Sequence, residues 1–176
     1  RMNMILKIIG SLIVFVSSSL LGYMYSRKCS ERPKDLRALQ GLLQMFENEV
    51  SFLSNVLTEA FLKISKCCDS GVSAFFSQTV EILNSDEGIN ARDAWTKAIK
   101  ENINKTALNS EDEEILISFG KMLGSSDIEG QIKNIRLTLN QLKMQEEKAE
   151  ELRKKNESMY RSLGVLGGLA IIIILF

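Results

Sequence analysis

The stretch LRALQGLLQMFENEVSFLSNVLTEAFLKI, from Leu36 to Ile64, decides the fold class. Leu36, Leu39, Leu43, Phe46, Val50, Leu53, Leu57, Ala60 and Ile64 recur at alternating spacings of three and four. That spacing keeps one apolar stripe on one side of an α-helix and suits no strand, whose side chains repeat every second residue. It predicts a single helix of about 30 residues. Each large side chain buried along it contributes about 1.5–3 kcal/mol before chain entropy is counted. Pro33 fits the first turn, where no amide hydrogen is required. Cys67-Cys68-Asp69-Ser70-Gly71 ends the pattern.

A second stripe, Ile128, Ile132, Ile135, Leu139, Leu142 and Ala149, repeats the spacing with Glu146 as a fault. Asp127 is placed to cap its start, and Gly124 to close the helix before it. Past Ala149 the residues stay strong helix formers, and Glu150–Lys154 and Glu151–Lys155 make i,i+4 pairs. The helix is expected to run on into the apolar end of the chain. Three short helices are expected in between. Val72–Leu83 carries Phe75, Phe76, Val80 and Leu83; Asn90 caps a helix holding Ala94, Trp95, Ala98 and Ile99. Ser110 with Glu113 reads as a capping box ahead of Ile115, Leu116, Phe119, Met122 and Leu123. With one proline in 176 residues and little β-type alternation, the chain reads as all-α. The expected architecture is an antiparallel helical bundle of two long helices and three shorter ones.

Ile8–Tyr25 and Leu163–Phe176 carry no charged side chain. At a rise of ~1.5 Å per residue the first covers about 27 Å, close to a hydrocarbon core of ~30 Å. The second covers only about 20 Å and must thin the bilayer, recruit Met159 and Tyr160, or stop short. A cleaved signal peptide is the alternative for the first stretch, but its apolar run is long for one. The domain reading is therefore an N-terminal transmembrane helix at 4–26, a helical bundle at 31–161 and a C-terminal transmembrane helix at 162–176. Arg27, Lys28, Arg32, Lys34 and Arg37 follow the first stretch, and Lys143, Lys148, Arg153, Lys154, Lys155 and Arg161 precede the second. Positive-inside asymmetry then puts the bundle in the cytoplasm. Three cysteines, Cys29, Cys67 and Cys68, show no metal-knuckle spacing and suit a reducing compartment. Gly164 with Gly168, and Ser18 with Gly22, are small-x-x-x-small pairs of the kind that let membrane helices approach closely. Such a contact would join the two spans or two copies of the chain.

Little in the sequence suggests catalysis. There is no histidine, the commonest general base and metal ligand. No glycine-rich loop followed by Lys-Ser/Thr is present to hold phosphate. Basic and acidic residues number 22 each, so the basic excess needed for nucleic acid is missing. No catalytic, cofactor-binding or metal-binding residue is expected, and no cofactor. Glu111, Asp112, Glu113 and Glu114 read first as acidic residues favouring a helix start. Glu146, Glu147, Glu150 and Glu151 read first as a solvated helix face. Both groups are also candidate partner-binding surfaces.

The order of several short motifs resembles the stage III sporulation protein AB family of spore-forming Firmicutes. The residues are Glu31-Arg32-Pro33, Asp93-Ala94-Trp95, and Phe119-Gly120-x-x-Leu123-Gly124-x-x-Asp127, then Gln131, Ile135-Arg136-Leu137 and Ser162-Leu163-Gly164-x-Leu166-x-Gly168-Leu169. That family is in turn similar to the cytoplasmic helical domain of inner-membrane platform proteins of type II secretion and type IV pilus systems. The resemblance implies a structural part in the channel complex between mother cell and forespore. The protein would sit in the mother-cell membrane that surrounds the forespore, with the bundle facing the mother-cell cytoplasm. Its implied partners are the companion ATPase, stage III sporulation protein AA, and other membrane subunits of the complex, with a homo-oligomer also open. Platform proteins usually carry two such bundles; this chain has one. A membrane sensor whose long helices transmit a shift on ligand binding is the alternative reading.

Overall fold

The computed structural model describes residues 30–51, 57–85, 88–124 and 127–175, with side chains to residue 160. The described residues form helices joined by turns and short loops, with no strand among them. The chain divides into two compact units, one of residues 31–149 and one of residues 1–30 with 150–176.

The first unit contains α1 (residues 30–51), α2 (Leu57–Ser65), α3 (Ser73–Ser85), α4 (Ala91–Asn102) with a short 3-10 turn at Ile103–Lys105, α5 (Ser110–Gly120), and the start of α6 (Ile128–Leu175). The single long helix expected over Leu36–Ile64 is instead two helices packed against one another. Phe46 and Phe61 would stand about 22 Å apart along one straight helix, yet their ring centroids are 4.9 Å apart. Lys63 likewise pairs with Glu49. Periodicity alone hid this, because a stripe of constant spacing reads alike in one helix or in two that fold back together. Ser51, Ser54 and Asn55 in the middle of the stretch are weak helix formers that dilute its propensity.

The core is organised by five aromatic rings, one from each of α1 to α5. Phe46 meets Phe61, Phe61 meets Phe76, Phe76 meets Trp95, Trp95 meets Phe119, and Phe119 returns to Phe46, at centroid separations from 4.9 to 6.3 Å. Most are edge-on, the arrangement the ring quadrupoles favour. Leu36, Leu39, Leu42, Leu43, Ile64, Val72, Ile99 and Leu116 pack around them. The helices pack in chain order, α2 on α3, α3 on α4 and α4 on α5. α6 closes the bundle antiparallel to α1: Arg32 bonds Gln145, Arg37 bonds Glu146, and Arg136 bonds Glu47.

The buried face of α6 follows most of the expected stripe, with Ile132 and Leu139 packed partly buried against the core beside Ile135, Leu142 and Ala149. Ile135, Thr138, Leu142, Gln145 and Ala149 are buried, whereas Ile128 is about half exposed. Glu146 is half-buried at the fault in that stripe. The buried position is Gln145, which a search for apolar residues passes over.

α6 is one helix from Ile128 to Leu175, as expected from its composition. Asp127 accepts the Gly130 amide at its start, and Gly124 takes the positive φ of a helix-closing residue. Among the described residues no helix is long and apolar enough to cross a membrane. The stretch 4–26, with Ser18 and Gly22, lies outside the described residues. So do the side chains of 162–176; at Gly164 and Gly168 only helical backbone is described.

Candidate interaction surface

The site grows from the start of α5. The Asn109 side chain accepts the Asp112 amide at 3.0 Å, and Asp112 Oδ2 accepts the Asn109 amide at 2.9 Å. The capping box is thus one residue ahead of the expected Ser110/Glu113 pair. Asparagine caps as well as serine, and Asp112 is held in place by a second partner from α1. Arg32 Nε donates to Asp112 Oδ2 at 2.8 Å and its Nη2 to Asp112 Oδ1 at 2.9 Å, a bidentate pair. The Asp112 carboxylate is fully buried and the Arg32 side chain is 11% exposed. Asp112 is therefore withdrawn from the acidic surface expected over Glu111–Glu114.

The pair extends to the surface through α6. Arg32 Nη2 also donates to Gln145 Oε1 at 3.0 Å, and Gln145 Nε2 donates to Glu111 Oε2 at 2.9 Å. Lys148 Nζ lies 3.6 Å from the same Glu111 oxygen, both side chains being well exposed. The Gln145 hydrogen bond, then the Lys148 charge, holds the Glu111 carboxyl below its ordinary range. A chain of contacts thus links the start of α1, the start of α5 and the middle of α6.

Beside it lies an open groove of about 400 Å³ between α5 and α6. Glu111, Glu114, Ile115 and Ser118 of α5 face Met144 and Gln145 of α6 there. The remaining expected surface residues scatter. Glu113 is half-buried and Glu147 is exposed. Glu146 accepts from Arg37 at 2.5 Å and Gln40 at 2.8 Å, on the α1 side of α6. Glu150, paired with Arg153 at 2.7 Å, and exposed Glu151 belong to the other compact unit. Among the described residues no cluster of three or more histidine, cysteine or acidic side chains is placed to hold a metal. Cys67 is an exposed free thiol, and the half-buried Cys68 Sγ donates to Ser70 Oγ.

The motif residues sit at points where the fold is decided. The Asn90 side chain accepts the Asp93 amide and donates to its carboxylate, opening α4. Ala94 and Trp95 are fully buried, and Trp95 Nε1 donates to the Leu116 carbonyl at 2.7 Å. Gly120 lies against the indole so closely that an added Cβ would come within 2.4 Å of Trp95 Cδ1. Phe119 closes the aromatic ring and Leu123 is buried beside it. Pro33 is buried, Glu31 pairs with Lys34, Gln131 donates its amide to the Asp127 carbonyl, and Arg136 pairs with Glu47 at 2.6 Å. Gln145 was missed, although 135, 138, 142, 145 and 149 carry a regular three–four alternation. Its signal was spacing without hydrophobicity.

These placements accord with three comparisons. The sequence model of the family described as Stage III sporulation protein AB matches residues 7–176. A curated relative, Stage III sporulation protein AB of Bacillus subtilis (strain 168), is 33% identical over 170 residues, covering 97% of this chain and 99% of the relative. A solved structure of Stage III sporulation protein AB superposes with a TM-score of 0.66 at 31% identity, covering 71% of this chain and 98% of that one. Motif order, helical architecture and near full-length similarity agree, and the chain belongs to the stage III sporulation protein AB family.

Proposed function

We propose that this protein is a noncatalytic component of the secretion-like channel complex between mother cell and forespore. Its bundle joins the companion ATPase to the membrane subunits. A role in sporulation is supported by the family match and by the relatives. The observation that carries the adaptor reading is α6: one helix runs from the bundle residues at Ile128 to Leu175 in the apolar end of the chain. The charge asymmetry beside the apolar ends supports a bundle on the mother-cell cytoplasmic side, anchored in the membrane around the forespore. The near-balanced charge favours protein partners over nucleic acid.

The test is co-purification of the detergent-solubilised full chain with stage III sporulation protein AA, with mass read by light scattering. A complex of fixed ratio is the expected result. A lone monodisperse chain removes motor coupling as the direct task and leaves a scaffold acting through membrane subunits.

A further inference from the structure

The α5–α6 groove combines two features that a solvated surface does not need. Its α6 wall presents Met144, 61% exposed and the most exposed large apolar side chain among the described residues. Leu137, also more than half exposed, stands two turns earlier on the same side of α6. Ile115 continues the apolar lining on α5, and the small Ser118 leaves room between the helices. The rim at the α5 start is acidic. Glu114 makes no ion pair among the described residues, and Glu111 has only Lys148 at 3.6 Å. An exposed pair of that length is weak and easily exchanged.

We propose that this groove receives an amphipathic, basic helix from a partner protein, its apolar stripe on Ile115 and Met144 and its lysines or arginines against Glu111 and Glu114. This deepens the adaptor reading and rests on it. Helix-in-groove docking is read as apolar anchors at i, i+3, i+4 and i+7 on the incoming helix. A groove between two helices suits a third at an axis separation of about 8–10 Å. Methionine adapts its unbranched side chain to such a partner. The acidic rim selects a basic helix and repels nucleic acid or an anionic lipid surface. The Gln145 hydrogen bond and the Lys148 charge hold the Glu111 carboxyl below its ordinary range. The same Glu111 is bonded through Gln145 to Arg32 at the start of α1.

The experiment uses the full chain in nanodiscs of neutral phosphatidylcholine. The probe is a fluorescein-labelled Leu/Lys amphipathic peptide of about 18 residues, ~27 Å as a helix, titrated by anisotropy against empty nanodiscs. Saturable binding is expected for it and not for the same peptide with glutamate in place of lysine. Met144→Ser and Glu114→Lys are each expected to weaken binding about tenfold. Both positions are exposed, and an unchanged thermal transition checks that folding is intact. Leu62→Asp, at an exposed apolar residue on α2, should leave binding unchanged. No binding above empty nanodiscs, equal binding of both peptides, or equal loss in the Leu62 variant overturns the assignment. Co-purification of the ATPase with the wild-type chain is measured in parallel. Its absence overturns the adaptor reading, while the peptide titration alone decides the groove.

Discussion

Replacing Arg32 by methionine tests whether the buried pair holds α1, α5 and α6 together. The Asp112 carboxylate is fully buried and takes two hydrogen bonds from Arg32. Without Arg32 it retains only the Asn109 amide within its capping box. An uncompensated buried charge costs about 3–5 kcal/mol, a large part of the ~5–15 kcal/mol that stabilises a typical domain. Removing the other partner by Asp112→Ala should cost less, toward the lower end of that range. Arg32 keeps Gln145 and a slightly exposed edge, although the capping bond, about 1 kcal/mol, is also lost. The double variant should fall well short of the sum, with a coupling of about 2 kcal/mol. Trp95 is the single tryptophan and lies in the core, so urea unfolding of the full chain in detergent can be followed by its emission. Costs below about 1 kcal/mol, or strict additivity, would refute the claim that this pair ties the three helices.

Three further outcomes are expected. Gly120→Ala should destabilise by about 1–3 kcal/mol, although alanine normally improves a helix by about 1 kcal/mol. The new Cβ would meet an indole pinned to the Leu116 carbonyl, and a gain in thermal stability would contradict the packing. Burial pushes the Asp35 carboxyl above its ordinary range, against the opposing Ala107 amide bond. The folded state therefore binds that proton more tightly than the unfolded state, and stability falls as pH rises from the ordinary aspartate range through the raised value. Asp35→Asn should remove this fall; parallel pH–stability curves for variant and wild type would count against it. Arg136→Ala should cost under about 1 kcal/mol, because its pair with Glu47 is at the surface. A larger loss in urea titration would mean that Arg136 supports more than this pair.

The helix class, the capping of α4 by Asn90, the Asp127–Gly124 junction and the burial of Trp95 were legible because each depends on neighbours within a few residues. The α5 cap was legible in kind and displaced by one residue, since Asn109 and Ser110 are both competent caps and the Asp112 of the Asn109 box also meets Arg32. The single helix over Leu36–Ile64 failed for a related reason. Amphipathic spacing records which side is buried, and the partner covering that side was another part of the same stretch. The candidate surface was legible as acidic character at Glu111–Glu114, without its division into one buried anchor and an exposed groove rim.

Local pattern thus determined an all-α chain with apolar ends, balanced charge and a recognisable motif order. The tertiary structure alone decided that five rings from five helices meet, that Gly120 must be bare beneath Trp95, and that Arg32 meets Asp112 and Gln145. Those contacts join residues far apart in the chain. Helical periodicity and capping are set by bonds a turn or less in length, whereas the partner of a buried charge or ring is set by which faces the whole bundle brings together.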